Sequence, residues 1–314
     1  MDNLIFSLNV TVPIFALMLL GYFFNKIGFI DDIFAAKLNT FVFRIPLPLL
    51  VFKDLAVVDI AEAWNGRYIL FCFVVTLLSI AGVALLSLLI KDKSMRGEFI
   101  QCSYRSSAAL LGIAFISSIY GDSGMGPMMI IGSVPLYNVV AVLVLSLTRP
   151  DMKGLNKETL KKTFLGILKN PIIWGIAIGL LWSALKLPLT GIPEKVVGNI
   201  AATATPLGLM AMGATFSLKK AFGVKKVAIS AVAIKLVGLA ALFMPLAVAL
   251  GYRASYLVAI LVMLCSPTTV SSYVMAKNMG HDGVVSSAVV MLTTLLSAFT
   301  LTFWLWLIKS MGLL

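Results

Sequence analysis

YILFCFVVTLLSIAGVALLSLLI, residues 68–90, is a stretch of 23 residues without a single charge. At the rise of an α-helix it extends about 34 Å, enough to cross a hydrocarbon core of about 30 Å. Nine further apolar stretches flank it, near 9–29, 36–53, 100–120, 126–147, 170–185, 197–217, 226–250, 254–276 and 284–308. Across 314 residues, 60% are hydrophobic and only 12% charged, about half the charged fraction of a soluble domain. A soluble protein is excluded. The chain reads as an all-α membrane protein with ten transmembrane helices.

The net charge of +12 invites a nucleic-acid reading, but its distribution points to topology. With the N-terminus outside, the inner loops hold 17 basic residues and the outer loops with the C-terminus hold 6. That bias is the positive-inside pattern. It places both termini outside in an inner or plasma membrane, with the lipid bilayer as partner and no nucleic acid. The first residues, Met1-Asp2-Asn3, carry no basic charge, so a cleavable signal is not expected. Three cysteines, Cys72, Cys102 and Cys265, lie in apolar segments and suit reduced, buried thiols.

An internal repeat is visible at one offset. Pro13 aligns with Pro171, Gly21 with Gly179 and Pro48 with Pro206, each pair 158 residues apart. The most polar loop, RPDMKGLNKETLKK (149–162), joins the halves. The reading is a first five-helix repeat over 1–148, a cytoplasmic linker over 149–169 and a second repeat over 170–314. An odd number of spans per half inverts the second against the first, an architecture of secondary transporters.

The ninth span, AILVMLCSPTTVSSYVMAKNMG (259–280), carries a proline at mid-depth followed by a cluster of hydroxyl residues. Pro267 lacks an N–H and frees the carbonyl four residues earlier, so the helix must kink or unwind. Such backbone is tolerated only against protein or a watery cavity. Thr268, Thr269, Ser271 and Ser272 would supply neutral hydrogen bonds beside it. The fourth span, QCSYRSSAALLGIAFISSIYG (101–121), offers Ser103, Ser106 and Ser107 ahead of Gly112 and Ala114, but no proline. Gln101 opens the same segment. Helix N-termini at such breaks attract anions.

Two basic residues fall within spans, Arg44 in FRIPLPLL and Lys235 in AVAIKLVGLA. Each stands eight to ten residues from the inner end, roughly 12–15 Å deep. Either can snorkel to the headgroups or face a cavity; Lys235, the deeper, is the stronger candidate for a functional role. Asn138 in the fifth span is a further polar contact, for substrate or for helix association. Aspartates and glutamates are assigned to span ends, Asp54 and Asp122 outside, Asp31, Asp32 and Glu98 inside, which leaves little for a proton relay. His281 is read as a solvated loop residue, and Trp182, Trp304 and Trp306 as interfacial anchors.

SPTTVSSYVMAKNMGHD (266–282), SSAVVMLTTLLSAFTL (286–301), the fourth span, YNVVAVLVL (137–145), TPLGLMAMGATFS (205–217) and PIFALMLLGYFFNKIGFID (13–31) together resemble the auxin efflux carrier family over essentially the whole chain. The resemblance implies two inverted five-helix repeats of bile-acid-transporter type, with helices four and nine broken and crossing at the substrate. It implies a scaffold of spans 1, 2, 6 and 7, a mobile transport domain of spans 3–5 and 8–10, and a basic residue near Lys235. Its implied cargo is an organic anion: auxin in plants, or carboxylates such as malate and malonate in bacteria. The family's Asn-x-x-x-x-Gly-x-Pro appears here as Ser107 through Gly112 to Ala114, and Ser271 replaces a common asparagine. The crossover is therefore half intact by proline count.

The function expected is elevator-type transport of a small organic anion, without cofactor, metal or catalytic residues, and with a homodimer as the expected assembly. The alternatives are a sodium-coupled bile-acid-type symporter, and a channel or membrane receptor. An intramembrane enzyme would need a metal cluster, an activated nucleophile or paired acids.

Overall fold

With no water to satisfy backbone groups in lipid, a spanning segment must close its hydrogen bonds internally, and the described residues hold helices and no strand. The computed structural model describes residues 2–57, 65–108, 113–121, 124–150 and 157–314. Helix α1 (Asp2–Lys26) is followed by α2 (Asp32–Arg44) and α3 (Pro46–Ala56), which meet at Ile45 where Pro46 starts a new helix. Then come α4 (Gly66–Ser87), α5 (Arg96–Tyr104), α6 (Ile113–Tyr120) and α7 (Gly126–Leu147). The later part comprises α8 (Lys157–Leu168), α9 (Pro171–Ala184), α10 (Gly191–Ala202), α11 (Ala204–Ala214) and α12 (Leu218–Gly223). Helices α13 (Lys225–Ala233), α14 (Leu239–Ala249), α15 (Ala254–Cys265), α16 (Ser271–Asn278) and α17 (Val284–Ser310) complete it.

Among the described residues, six stretches are long and apolar enough to cross a membrane: 32–56, 66–87, 126–147, 191–214, 225–249 and 284–310. Pro171–Ala184 and Ala254–Cys265 are shorter apolar helices. The segments expected as spans four and nine are interrupted, after Tyr104 and after Cys265. The linker expected as a loop over 149–169 holds α8 within it.

Glycines set the closest helix approaches. A Cβ at Gly21 of α1 would collide with the Met210 carbonyl of α11, and one at Gly213 of α11 with the Met18 carbonyl of α1. Likewise, a Cβ at Gly175 or Gly179 of α9 would come within 2.5 Å of the Pro48 oxygen or 2.9 Å of the Phe52 oxygen of α3. Any side chain at these glycines would force the pairs apart. The pairing of 48 with 175 and 52 with 179 means that α3 and α9 run in the same direction.

Glu98, assigned to an inner span end, and His281, read as solvated, are both core groups. Glu98 of α5 is 2% exposed and accepts from the backbone N–H of Gly283 at 2.9 Å and of Ser286 at 2.8 Å, capping the start of α17. His281 lies in a turn between Gly280 and Gly283, both at positive φ. It is 4% exposed, with Nε2 at 2.9 Å from the Leu145 carbonyl, so it is packed against α7 and not solvated. Trp304 is also buried, donating to the Leu236 carbonyl at 3.1 Å, and Trp182 packs edge-on against Phe52. Of the three expected anchors, Trp306 alone is exposed. Replacing Glu98 by glutamine should remove the charge from the α17 cap and cost about 2 kcal/mol. Thermal unfolding of the purified variant checks this as a lowered midpoint.

Candidate functional site

Pro267 leaves the Met263 carbonyl without its helical donor, and the structure supplies replacements from the first half of the chain. The hydroxyls of Tyr137 and Ser106 both donate to Met263 O, at 2.9 Å and 2.5 Å. Ser266 is extended (φ −67°, ψ 159°), as the residue before a proline tends to be. Span four breaks without a proline: α5 ends at Tyr104 and Arg105 is extended, at φ −77° and ψ 125°. Here tertiary bonds substitute for helical ones. The Ser107 N–H donates to the Pro267 carbonyl at 2.9 Å, and the Thr268 hydroxyl donates to the Cys102 carbonyl at 2.7 Å. Each break thus satisfies backbone oxygens of the other.

Helices α5 and α15 both point their C-termini at this crossing, bringing the negative ends of two helix dipoles together. Lys235 answers them. Its side chain is fully buried, and its ammonium donates to Leu264 O at 2.6 Å, to Tyr104 O at 3.5 Å and to the Ser106 hydroxyl. It reaches inward from a π-helical turn, Ile234–Gly238, whose Leu236 carbonyl is taken by Trp304. Such turns shift side-chain register and recur at functional sites.

Beside the crossing lies a cavity of about 50 Å³. Ser106, Ser107, Asn138, Thr269 and Ser271 line it, five of the residues expected from sequence. Leu47, Leu50 and Val51 of α3 form an apolar wall. Thr269 and Ser271 pair through their hydroxyls at 3.1 Å where α16 begins, so the positive end of that helix faces the cavity.

The other expected residues stand elsewhere. Pro267 and Thr268 are held in the crossing, and Lys235 sits behind the cavity, outside its lining. Gln101 is buried and donates to the Ser272 carbonyl at 2.9 Å, while its own oxygen and the Ser272 hydroxyl have no partner among the described residues. Ala114 stands in α6, and Gly112 lies outside the described residues. Arg44 is exposed. It shares a cavity with Ser146, Arg149 and Lys169 at the ends of α7, α8 and α9.

Two charged residues in the cavity were assigned elsewhere from sequence. Arg105, counted with an inner loop, is 3% exposed and lines the cavity. Its Nη2 donates to Asn138 Oδ1 at 2.5 Å and its Nη1 to Met275 Sδ at 2.7 Å. A guanidinium has five N–H donors, so with these partners among the described residues donor capacity remains for a ligand. Asp54, assigned to an outer helix end, lines the same cavity from α3. An ionisable residue inside an apolar span is a functional candidate by default, but both stand close enough to a span end to be assigned outside it. Among the described residues, no cluster of three or more histidine, cysteine, aspartate or glutamate side chains is placed to hold a metal ion.

Two interrupted helices meeting around buried cations, inside an apolar helical bundle, are an arrangement found in membrane transport proteins. Residues 6–305 match the family described as "Membrane transport protein", and the chain belongs to that family, that of the auxin efflux carriers. It is 26% identical over 324 residues, covering 96% of each chain, to a protein of Rhizobium meliloti (strain 1021) whose description reads "Putative malonate transporter".

Proposed function

We propose that this chain is a secondary transporter of a small carboxylate anion, of the size and charge of malonate, bound at the crossing against Arg105 and Asn138. One observation carries the reading: a buried guanidinium with unused donors faces a cavity rimmed by hydroxyls and a helix N-terminus. Carboxylate oxygens match the planar fork of arginine in a bidentate pair. The relative in Rhizobium meliloti adds a substrate of the same chemistry.

The architecture supporting this function is ten helices in two inverted repeats. The contact of Gly21 with Met210 becomes, with 158 added to the first number and subtracted from the second, the contact of Gly179 with Phe52. One offset therefore relates both residues and their packing partners, which supports a repeat in three dimensions. In this reading α1–α3 and α9–α11 are the scaffold, and the remaining helices that cross the membrane form a transport domain sliding against it. A cavity of about 380 Å³, lined by Asn39, Thr215, Lys220, Tyr273 and Lys277, among others, lies between the two parts. Tyr273 and Thr215 join across it at 2.6 Å. With the termini outside a plasma membrane, this cavity is the cytoplasmic approach.

Lys235 bears on coupling. Its ammonium takes three oxygens at the paired helix C-termini, where a metal cation would otherwise be drawn, which favours sodium-independent transport over a bile-acid-type symport. Asp54 shares the cavity with Arg105 and would repel a dianion when ionised. Protonation of Asp54 removes that repulsion, so uptake should rise as pH falls. Counterflow of labelled malonate into proteoliposomes tests these points: saturable, trans-stimulated uptake without sodium, faster at lower pH, with that pH dependence flattened in Asp54→Asn. Unitary currents or an absolute sodium requirement would overturn the reading.

A further inference from the structure

A cavity of about 560 Å³ lies between two segments far apart in the chain, one running from the end of α4 into α5 and the other from α12 into α13. Its lining has two unlike parts. Leu86, Leu89, Met95, Phe99, Phe222 and Ile234 make it apolar on one side, and Lys91, Lys225 and Lys226 bring ammonium groups to the other. Both segments are described throughout, and none of the three lysines makes a hydrogen bond or ion pair among the described residues. The one acid of the lining, Asp92, is turned to Ser94, accepting from its N–H at 3.0 Å and from its hydroxyl at 2.6 Å. No side chain caps the start of α13, whose first residues also line the cavity, so the positive end of that helix adds to the lysines.

The two parts together specify an amphipathic ligand. A small soluble anion would meet the lysines but leave the apolar wall uncovered, and a purely apolar molecule would cover the wall but gain nothing from the lysines. The wall also has a direction. Leu86, Leu89 and Phe222 are 45%, 80% and 68% exposed, whereas Phe99 is buried at 2%, so the lining runs from the outside of the bundle into its core. The positive-inside bias accounts for lysines on this face, but not for their convergence on an apolar cleft between helices. Basic pockets between membrane helices at the cytoplasmic side suit the headgroups of anionic lipids.

We infer that this cavity binds an anionic phospholipid, with its phosphate among Lys91, Lys225 and Lys226 and an acyl chain along Leu86, Leu89 and Phe222 toward Phe99. Ile234, part of the same wall, opens the π-helical turn that carries Lys235. A bound lipid therefore joins α4 and α5 to the segment that supplies the cation of the crossing. As a ligand of the folded state alone, it raises stability with its concentration. The site needs insertion in a bilayer and does not depend on transport.

The test uses the full chain purified into phosphatidylcholine nanodiscs, with thermal unfolding as the readout, so that failure of transport cannot be confused with failure of binding. Increasing phosphatidylglycerol should raise the midpoint of the wild type. The rise should be largely lost in Lys91→Gln/Lys225→Gln/Lys226→Gln. It should persist in Lys37→Gln/Lys161→Gln/Lys219→Gln, which removes the same charge from exposed positions outside the cavity. Ser230→Trp keeps all three lysines but fills the cleft from an exposed lining position, and it should also lose most of the rise. No rise in the wild type, an equal loss in both triple variants, or a full rise in Ser230→Trp would overturn the inference. So would an equal rise from inorganic phosphate in neutral nanodiscs, which would assign the lysines to a soluble anion.

Discussion

Arg105→Gln should abolish carboxylate uptake while leaving the protein folded and in the membrane. The guanidinium faces the cavity and holds one amide oxygen and one sulfur among the described residues, so in the proposed cycle its strongest partner is the substrate. Removing one partner of a buried charged pair costs about 3–5 kcal/mol, which at about 1.4 kcal/mol per decade is roughly two to three and a half orders of magnitude in affinity. Stability should hardly fall, because an ion desolvated for function is seldom a net contributor to folding. Initial uptake rates and the unfolding midpoint, measured on the same preparations, separate the two effects. Arg105→Lys should restore little, since an ammonium cannot reproduce the bidentate fork.

Lys235→Met should behave in the opposite way. It is expected to lower the unfolding midpoint by an amount corresponding to about 3 kcal/mol or more, and to stop transport as a consequence. Methionine fills similar volume but leaves the Leu264 and Tyr104 carbonyls at two helix C-termini without their cation. Buried acceptors stripped of a charged donor cost about 1–3 kcal/mol each. Lys235→Arg is the informative control: a cation is retained, so stability should recover in part even if the larger head misplaces the crossing. Full stability in Lys235→Met would remove Lys235 from the role of holding the breaks together.

The contrast between these two residues marks where sequence reasoning succeeded. Pro267 was legible because a missing N–H has one local consequence, a free carbonyl at Met263, and the structure shows that oxygen taken by Tyr137 and Ser106. Thr269, Ser271, Ser106, Ser107 and Asn138 were legible as polar groups where lipid excludes water, and the fold brings them to one cavity. Arg105 was not, because the boundary of a span is uncertain by several residues and a cation near an inner end looks like topology. The break after Tyr104 had no local signal at all: Arg-Ser-Ser neither ends a helix nor requires one to end. It is maintained by bonds to Pro267 and Met263, more than 150 residues away.

One joint in the chain sets where Asp54 and Arg44 stand. One apolar span was read over 36–53, and within it the chain starts a new helix at Pro46. With Ile45 as a joint, Arg44 emerges among the ends of α7, α8 and α9, and Asp54 faces the crossing from α3. Glu98 was assigned to an inner span end and His281 to a solvated loop, yet each has a backbone partner in another part of the fold. A buried carboxylate on a helix N-terminus is common physics, but which helix start meets which carboxylate is tertiary information.

The central claim is that a carboxylate binds at Arg105 in the crossing. Calorimetric titration of malonate into the purified protein, beside Arg105→Gln at the same pH and without sodium, addresses it most directly. Saturable binding of about one malonate per chain by the wild type, absent in an equally folded Arg105→Gln protein, is the predicted result. Equal malonate affinity in the two proteins would contradict it.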